Sequence, residues 1–267
     1  MSNYHLITLM LTFVIHFVGT LSYAVRIVGV NTKKVALTLS LFNILVLVSR
    51  TANTFQAPLV ANIIEKDIVA GILTPQEFFF HSIIFSATFG TLIGILCIPT
   101  FQRMLGHAVN EFSVSKSMIR VVFKIFDKKF WSVLNKSITI PSVKNLDFSI
   151  LKGKISFWYV LINLLGTSIL TIGVIAAIYA GYLNPDFRTT SSNLSSVING
   201  FATFFMLIFL DPYLSIMVDE TVHKKMAENV FRRYMVLLLF SRLFGTILAQ
   251  FMLYPAAEII SMIAEKL

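Results

Sequence analysis

Charge is scarce in this chain: only 13% of its 267 residues are Asp, Glu, Lys or Arg, about half the roughly 25% usual in soluble domains. So few charged groups cannot cover a water-soluble globule of this size. Disorder is excluded from the other side, because a disordered chain combines low hydrophobicity with high net charge and here the mean hydropathy is +0.80. The single cysteine, Cys97, lies inside an apolar run, so no intrachain disulfide forms and the thiol reads as a buried packing group. Catalytic signatures are missing too. There is no G-x-S-x-G, H-E-x-x-H, Walker loop or Cys/His cluster, which removes the visible chemistry of an acyl hydrolase, a zinc protease or an ATP-driven pump. The histidines His5, His16, His81, His107 and His223 are scattered. Only one apolar run holds an Asp near its middle, which argues against an intramembrane aspartyl dyad. The expectation is a protein that is not an enzyme, with no cofactor and no metal.

Apolar residues are what the chain has, at 56% with 25 Phe. They gather in runs near 6–25, 35–60, 78–99, 155–182, 197–218 and 235–256, each able to cross a bilayer as a helix of about 20 residues. None alternates with period two, so a closed β-barrel is excluded. The fold class expected is all-α, a polytopic membrane bundle of six transmembrane helices forming one integral membrane domain over 1–267. The first run has no Lys or Arg before it and no small-residue cleavage site after it, so it reads as a retained span. Thr74, Pro75 and Glu77 predict an N-cap, first residue and capping-box acid for the third helix.

The 22 Lys and Arg exceed the 13 Asp and Glu. In a membrane protein that excess is read as topology before any nucleic-acid partner, and none is expected. The segments 26–34, 100–154 and 219–234 carry 17 of these cations; the loops on the other side carry Lys66, Arg188 and Lys266. The positive-inside rule therefore puts the first set in the cytoplasm and both termini outside. Within the basic 100–154 loop, residues 104–134 read as an amphipathic cytoplasmic helix. Lys116, Arg120, Lys124 and Lys128 recur every fourth position, and Phe112, Ile119, Phe123, Phe126 and Phe130 supply an apolar face. Such a helix lies on the inner leaflet as an anchor, or serves as a gate or basic collar for anionic headgroups.

A charge at the centre of a span costs about 2.5–3.5 kcal/mol, so each one is a candidate functional group. Arg50, Asp211 and Arg242 are the three expected within spans. Asn43, Arg50 and Asn53 fall on one face of the second helix, a polar stripe expected to face the bundle interior or a water-filled cavity. Asn43, Asn163, Asp211 and Arg242 fall at a common depth, about 10–12 Å from the cytoplasmic end; Arg50 and Gln250 lie about 22 Å in and His16 near mid-span. Shared depth and opposite charge predict that Asp211 pairs with Arg242. Arg50 then has no carboxylate, and its planar guanidinium suits phosphate or diphosphate oxygens. The candidate substrate-binding set is Arg50, Asn43, Asn53, Arg242 and Gln250, with Asp211 and His16 as structural or coupling groups. For Asn43, Asn163 and Gln250 the competing reading is hydrogen bonding between helices.

Three segments carry a family likeness: residues 40–59, SLFNILVLVSRTANTFQAPL; Asp211-Pro212 followed by Asp219; and residues 241–250, SRLFGTILAQ. Together they resemble the Amj family of bacterial lipid II flippases, the alternates to MurJ, along the whole chain. The resemblance implies a multi-pass protein of the bacterial plasma membrane that moves the undecaprenyl-diphosphate-linked peptidoglycan precursor from the inner to the outer leaflet without covalent chemistry. Its implied partner is lipid II; no protein partner is implied. The alternative from another class is a non-transporting membrane scaffold or regulator of envelope assembly, whose internal polar groups serve only helix packing.

Overall fold

A computed structural model of the chain describes residues 3–72, 74–115, 128–153 and 155–267, and the side chains of all of these except 112–115 and 128–130. Every apolar run becomes a helix, and no strand occurs among the described residues. The elements are α1 (Asn3–Thr32), α2 (Val35–Val69), α3 (Glu77–Ser115), α4 (Lys128–Ser137), α5 (Trp158–Leu183), α6 (Arg188–Phe205), α7 (Asp211–Val222) and α8 (Glu228–Lys266). Six segments are long and apolar enough to cross a membrane, the fifth running through α6 and α7 as Pro185–Val222.

The two ends of the bundle differ chemically. At one end Arg232 reaches Asn31 at 2.9 Å and Arg233 bonds both the carbonyl and the carboxylate of Asp147 at 2.8 Å. Asp147 also accepts from the Ser149 hydroxyl and backbone N–H, which together with Arg233 hold its carboxyl below the usual aspartate range. Lys33 and Lys224 turn the chain here with positive φ. At the other end Tyr182 and Gln76 both donate to the Asp67 carboxylate, and the Lys66 ammonium sits over the Tyr4 ring.

Packing between the first and third crossings depends on glycine. A Cβ at Gly90 would stand 2.6 Å from the Phe13 carbonyl oxygen, and one at Gly94 2.8 Å from the Thr20 Cβ. Two glycines four residues apart thus let the α1 and α3 backbones touch, the usual way helices associate where lipid offers no hydrophobic drive. The second crossing is held differently. Its residues Val60, Ile63 and Ile64 join an apolar cluster with Ile172, Ile175 and Tyr179 of α5, while in the half toward the basic end Leu37, Leu41 and Leu45 pack on Val25 and Val28 of α1 and Leu105 and Val109 of α3. Leu47, Val48 and Phe55 there are exposed.

The fifth crossing is interrupted by a π turn, Met206–Leu210, directly before Asp211-Pro212. Proline has no N–H to give the carbonyl four residues back and its ring crowds that carbonyl. The wider turn absorbs both problems.

Several expectations are corrected here. Arg26 is no loop residue: α1 continues to Thr32 and buries Arg26 at 8% exposure, making it a fourth charge inside a span. The third helix starts at Glu77, so Thr74 does not cap it. It also runs on to Ser115, which converts the first part of the expected 100–154 loop into helix. Of the amphipathic stretch, Lys116, Ile119, Arg120, Phe123, Lys124 and Phe126 lie outside the described residues, as do the side chains of Phe112, Lys128 and Phe130.

Candidate functional site

The polar centre of the protein is built on α1. Thr8, Thr12, His16 and Thr20 recur every fourth residue, all buried, and Tyr23 and Arg26 continue the same face toward the basic end. Each threonine hydroxyl donates to its own helix: Thr8 to the Tyr4 carbonyl at 2.9 Å, Thr12 to Thr8 at 2.8 Å and Thr20 to His16 at 2.7 Å. With the proton used in this way, the oxygen is left to accept from a neighbouring helix. Gln56 of α2 donates to Thr12 at 2.5 Å, and the Nε of Arg242, on α8, donates to Thr20 at 3.2 Å. Tyr23 donates to the Oδ1 of Asn163, whose amide nitrogen donates in turn to the Leu238 carbonyl at 2.8 Å. Asn163 is fully buried with its partners supplied by protein, the helix-joining role weighed for it above.

Asp211 pairs with Arg26, not with Arg242. The Arg26 Nη2 lies 2.5 Å from the Asp211 Oδ1, with side-chain exposures of 7% and 30%, and the Phe42 ring of α2 covers the guanidinium carbon at 4.9 Å. The reason is level and direction. Asp211 meets α1 at Arg26 and Arg242 meets it at Thr20, six residues or about 9 Å apart along the axis.

The stripe on the second helix is also placed differently from expectation. Asn43 and Arg50 are exposed and Asn53 is half-buried, so the stripe does not point into the packed interior. Farther from the basic end, the same face carries Ala57, Ala61 and Ile64, which pack into the cluster with α5. In the half toward the basic end, Asn43 and Arg50 are left uncovered among the described residues. Ser49, the neighbour of Arg50, bonds the Ile15 carbonyl at 3.1 Å, which fixes Arg50 at the level of Ile15 and His16. Among the described residues no ion pair or hydrogen bond engages the Arg50 guanidinium. Gln250 stands apart from this group: its amide exchanges bonds with His81 of α3, Oε1 to the ring nitrogen at 2.7 Å and Nε2 to the carbonyl at 3.2 Å.

The structure therefore brings together His16, Thr20, Tyr23 and Arg26 of α1 with Asp211 and Arg242, sets Arg50 on an exposed helix face about one turn or two farther from the basic end than Arg242, and leaves Gln250 on another interface. Arg26 and Asp211 neutralise each other. Arg50 and Arg242 have no carboxylate among the described residues, so the mid-bundle region is net cationic and can hold an anion by charge and by bidentate hydrogen bonding. No cluster of metal-ligating side chains occurs among the described residues.

A family model described as Amj, Alternate to MurJ, matches residues 11–264. A curated relative, the lipid II flippase Amj of Bacillus subtilis (strain 168), is 34% identical over 274 residues, covering 98% of this chain and 99% of the relative. No solved structure matches.

Proposed function

The chain belongs to the Amj family, and from that membership we propose that it is a flippase for lipid II, the diphosphate-linked precursor of the bacterial cell wall. The observation that carries this reading to particular residues is the cation without a counter-ion on the open face of α2. Arg50 sits midway between the bundle ends, uncovered and without a carboxylate partner among the described residues. Arg242 stands about 7–8 Å nearer the basic end, judged by their contact levels on α1. Two such groups offer a diphosphate successive holding points along one pathway, flanked by Asn43 and Asn53 as neutral hydrogen-bonding groups. The polyprenyl chain stays beside the bundle in lipid, where the uncovered face of α2 gives the headgroup lateral access.

In this reading the basic end of the bundle faces the cytoplasm of the bacterial plasma membrane and both termini face outward, supported by the cation excess of the loops. Moving Arg26 into the helix removes one of the 17 cations from that side and leaves the asymmetry intact. Impermeant maleimide should label a cysteine placed at position 3 in intact cells and spare one at 224; the opposite pattern reverses the orientation.

Transport involves no covalent step. Lipid II carries two phosphate groups leaving a negative interior. Each charge gains about 2.3 kcal/mol per 100 mV, hence roughly 4–5 for two, enough to bias a reversible cycle without nucleotide. The test is lipid II exposure on the outer leaflet of proteoliposomes or of cells with this protein as sole flippase. Exposure should require the protein and fall when valinomycin and potassium collapse the potential. Undiminished exposure refutes the electrical drive; absence of any protein-dependent exposure refutes the flippase reading.

A further inference from the structure

Four buried side-chain polar atoms lack a hydrogen-bond partner among the described residues: the His16 Nδ1 and the side-chain oxygens of Thr167, Ser191 and Asn199. Of these, His16 is the titratable one; it is 6% exposed, and its Nδ1 is unpartnered among the described residues. Buried polar atoms are almost always paired, so an orphan in the middle of a membrane bundle calls for a ligand. The surroundings say of which sign. One helical turn away, the Nη2 end of the Arg242 guanidinium abuts Gly19: a Cβ built there would stand 2.6 Å from the Arg242 Nη2 and 3.5 Å from its central carbon. The Arg242 Nε is committed to Thr20, which fixes the plane of the guanidinium. Thr20 links the two, its hydroxyl donating to the His16 carbonyl and accepting from the Arg242 Nε, and the nearby carboxylate, Asp211, is taken by Arg26. An arginine and an imidazole thus meet on one face of α1, with no unpaired acid beside them among the described residues.

We propose that His16, Gly19 and Arg242 form a buried phosphate subsite, in which the guanidinium grips phosphate oxygens, Gly19 makes the room for it to lie against α1, and the His16 Nδ1–H donates a further hydrogen bond. The proposal rests on the flippase reading and deepens it by adding two residues to the path and assigning His16 as a ligand of the headgroup. The phosphate belongs to a prenyl diphosphate rather than to a free anion, since the subsite lies inside a membrane-spanning bundle.

Geranyl diphosphate, geraniol and inorganic diphosphate are the probes, titrated onto the full-length protein in detergent, with lipid II flux in proteoliposomes measured in parallel. Geranyl diphosphate should bind at least about tenfold more tightly than geraniol, the effect of a charge-assisted hydrogen bond. His16→Leu should lose about tenfold, while His16→Asn, which retains a donor at the same distance from the backbone, should stay within about threefold of the native protein. Gly19→Ala should weaken binding similarly, but should add nothing in an Arg242→Lys background, where the group it collides with is gone. Equal binding by His16→Leu and the native protein overturns the assignment of His16. A Gly19→Ala loss that persists undiminished beside Arg242→Lys overturns the role of Gly19, because only helix packing would behave so. Equal affinity for inorganic and geranyl diphosphate overturns the lipid assignment. Native flux of lipid II with unaffected variants defeats the subsite and leaves the flippase reading standing; tight geranyl diphosphate binding with no lipid II flux defeats that reading and leaves the subsite.

Discussion

Removing one partner of the Arg26–Asp211 pair should cost very different amounts depending on which partner goes. Asp211→Asn strands a guanidinium whose side chain is 7% exposed, and breaking a buried pair in this way costs about 3–5 kcal/mol because the remaining charge is uncompensated. Arg26→Gln strands instead a carboxylate that is 30% exposed. A carboxylate stranded in low-dielectric surroundings can take up a proton and become neutral, which a guanidinium cannot, so the penalty falls to roughly 1–2 kcal/mol. The double change should cost less than the sum by at least about 1 kcal/mol, since neither charge is left alone. The assay is equilibrium unfolding of the four proteins in one detergent, followed by tryptophan fluorescence. Asp211→Asn combined with Arg242→Gln supplies the contrast: their contacts on α1 lie about 9 Å apart, so the two costs should add within about 0.5 kcal/mol. An Arg26→Gln cost equal to or above that of Asp211→Asn, or stronger coupling of Asp211 to Arg242 than to Arg26, would refute the reasoning.

Arg50→Ala and Arg50→Lys should both abolish or severely slow lipid II flux, because lysine keeps the charge and loses the planar fork. Unfolding free energy should move by no more than about 0.5 kcal/mol, as for other exposed positions; normal flux by Arg50→Ala would remove this residue from the pathway. Gly90→Ala should destabilise by roughly 1–3 kcal/mol, since the added carbon meets the Phe13 backbone, which cannot yield. Gly106→Ala on the same helix meets nothing within 4 Å and should be neutral or stabilising by up to about 1 kcal/mol, a comparison that thermal melts in detergent decide. The Asp147 carboxyl, held low first by Ser149 and then by Arg233, lends its stabilisation above the ordinary aspartate value of 3.8 and loses it as pH falls through the depressed folded value. Hydrogen exchange of residues 147–151 should therefore be flat from about pH 8 to pH 5 after correction for intrinsic rates, and Ser149→Ala should shift the acid release upward.

The six crossings were legible because each apolar run is long enough to span a bilayer and no other packed structure suits so few charges. Lateral relations were not. Depth along a helix follows from counting residues, but the direction in which a side chain points across the bundle depends on which helices touch. Asp211 and Arg242 could be placed at similar depth from span ends, yet α7 lies on α1 one way and α8 another, so the partner turned out to be Arg26. That residue was hidden by its own charge, which ends the hydropathy run at position 25 although Ile27, Val28 and Val30 beyond it are all buried. The threonines and His16 at every fourth position of α1 were a readable signal of its polar face. The open face of α2 was not readable, because an amphipathic pattern marks a distinct face without saying whether anything covers it.

The π turn at Met206–Leu210 gives the fifth crossing two independent phases. A turn that admits one extra residue rotates everything after it by about 100° relative to an unbroken helix. Asp211 therefore points at Arg26 only because the insertion stands before it, and Pro212 pins the insertion there by refusing an ordinary α turn. If the bulge were resolved, α7 would turn about its long axis like a screw, carrying Asp211 off α1 and presenting another residue. The half before the turn, α6, would stay in place on α5. One span thus contains a swivel whose two sides answer to different halves of the membrane.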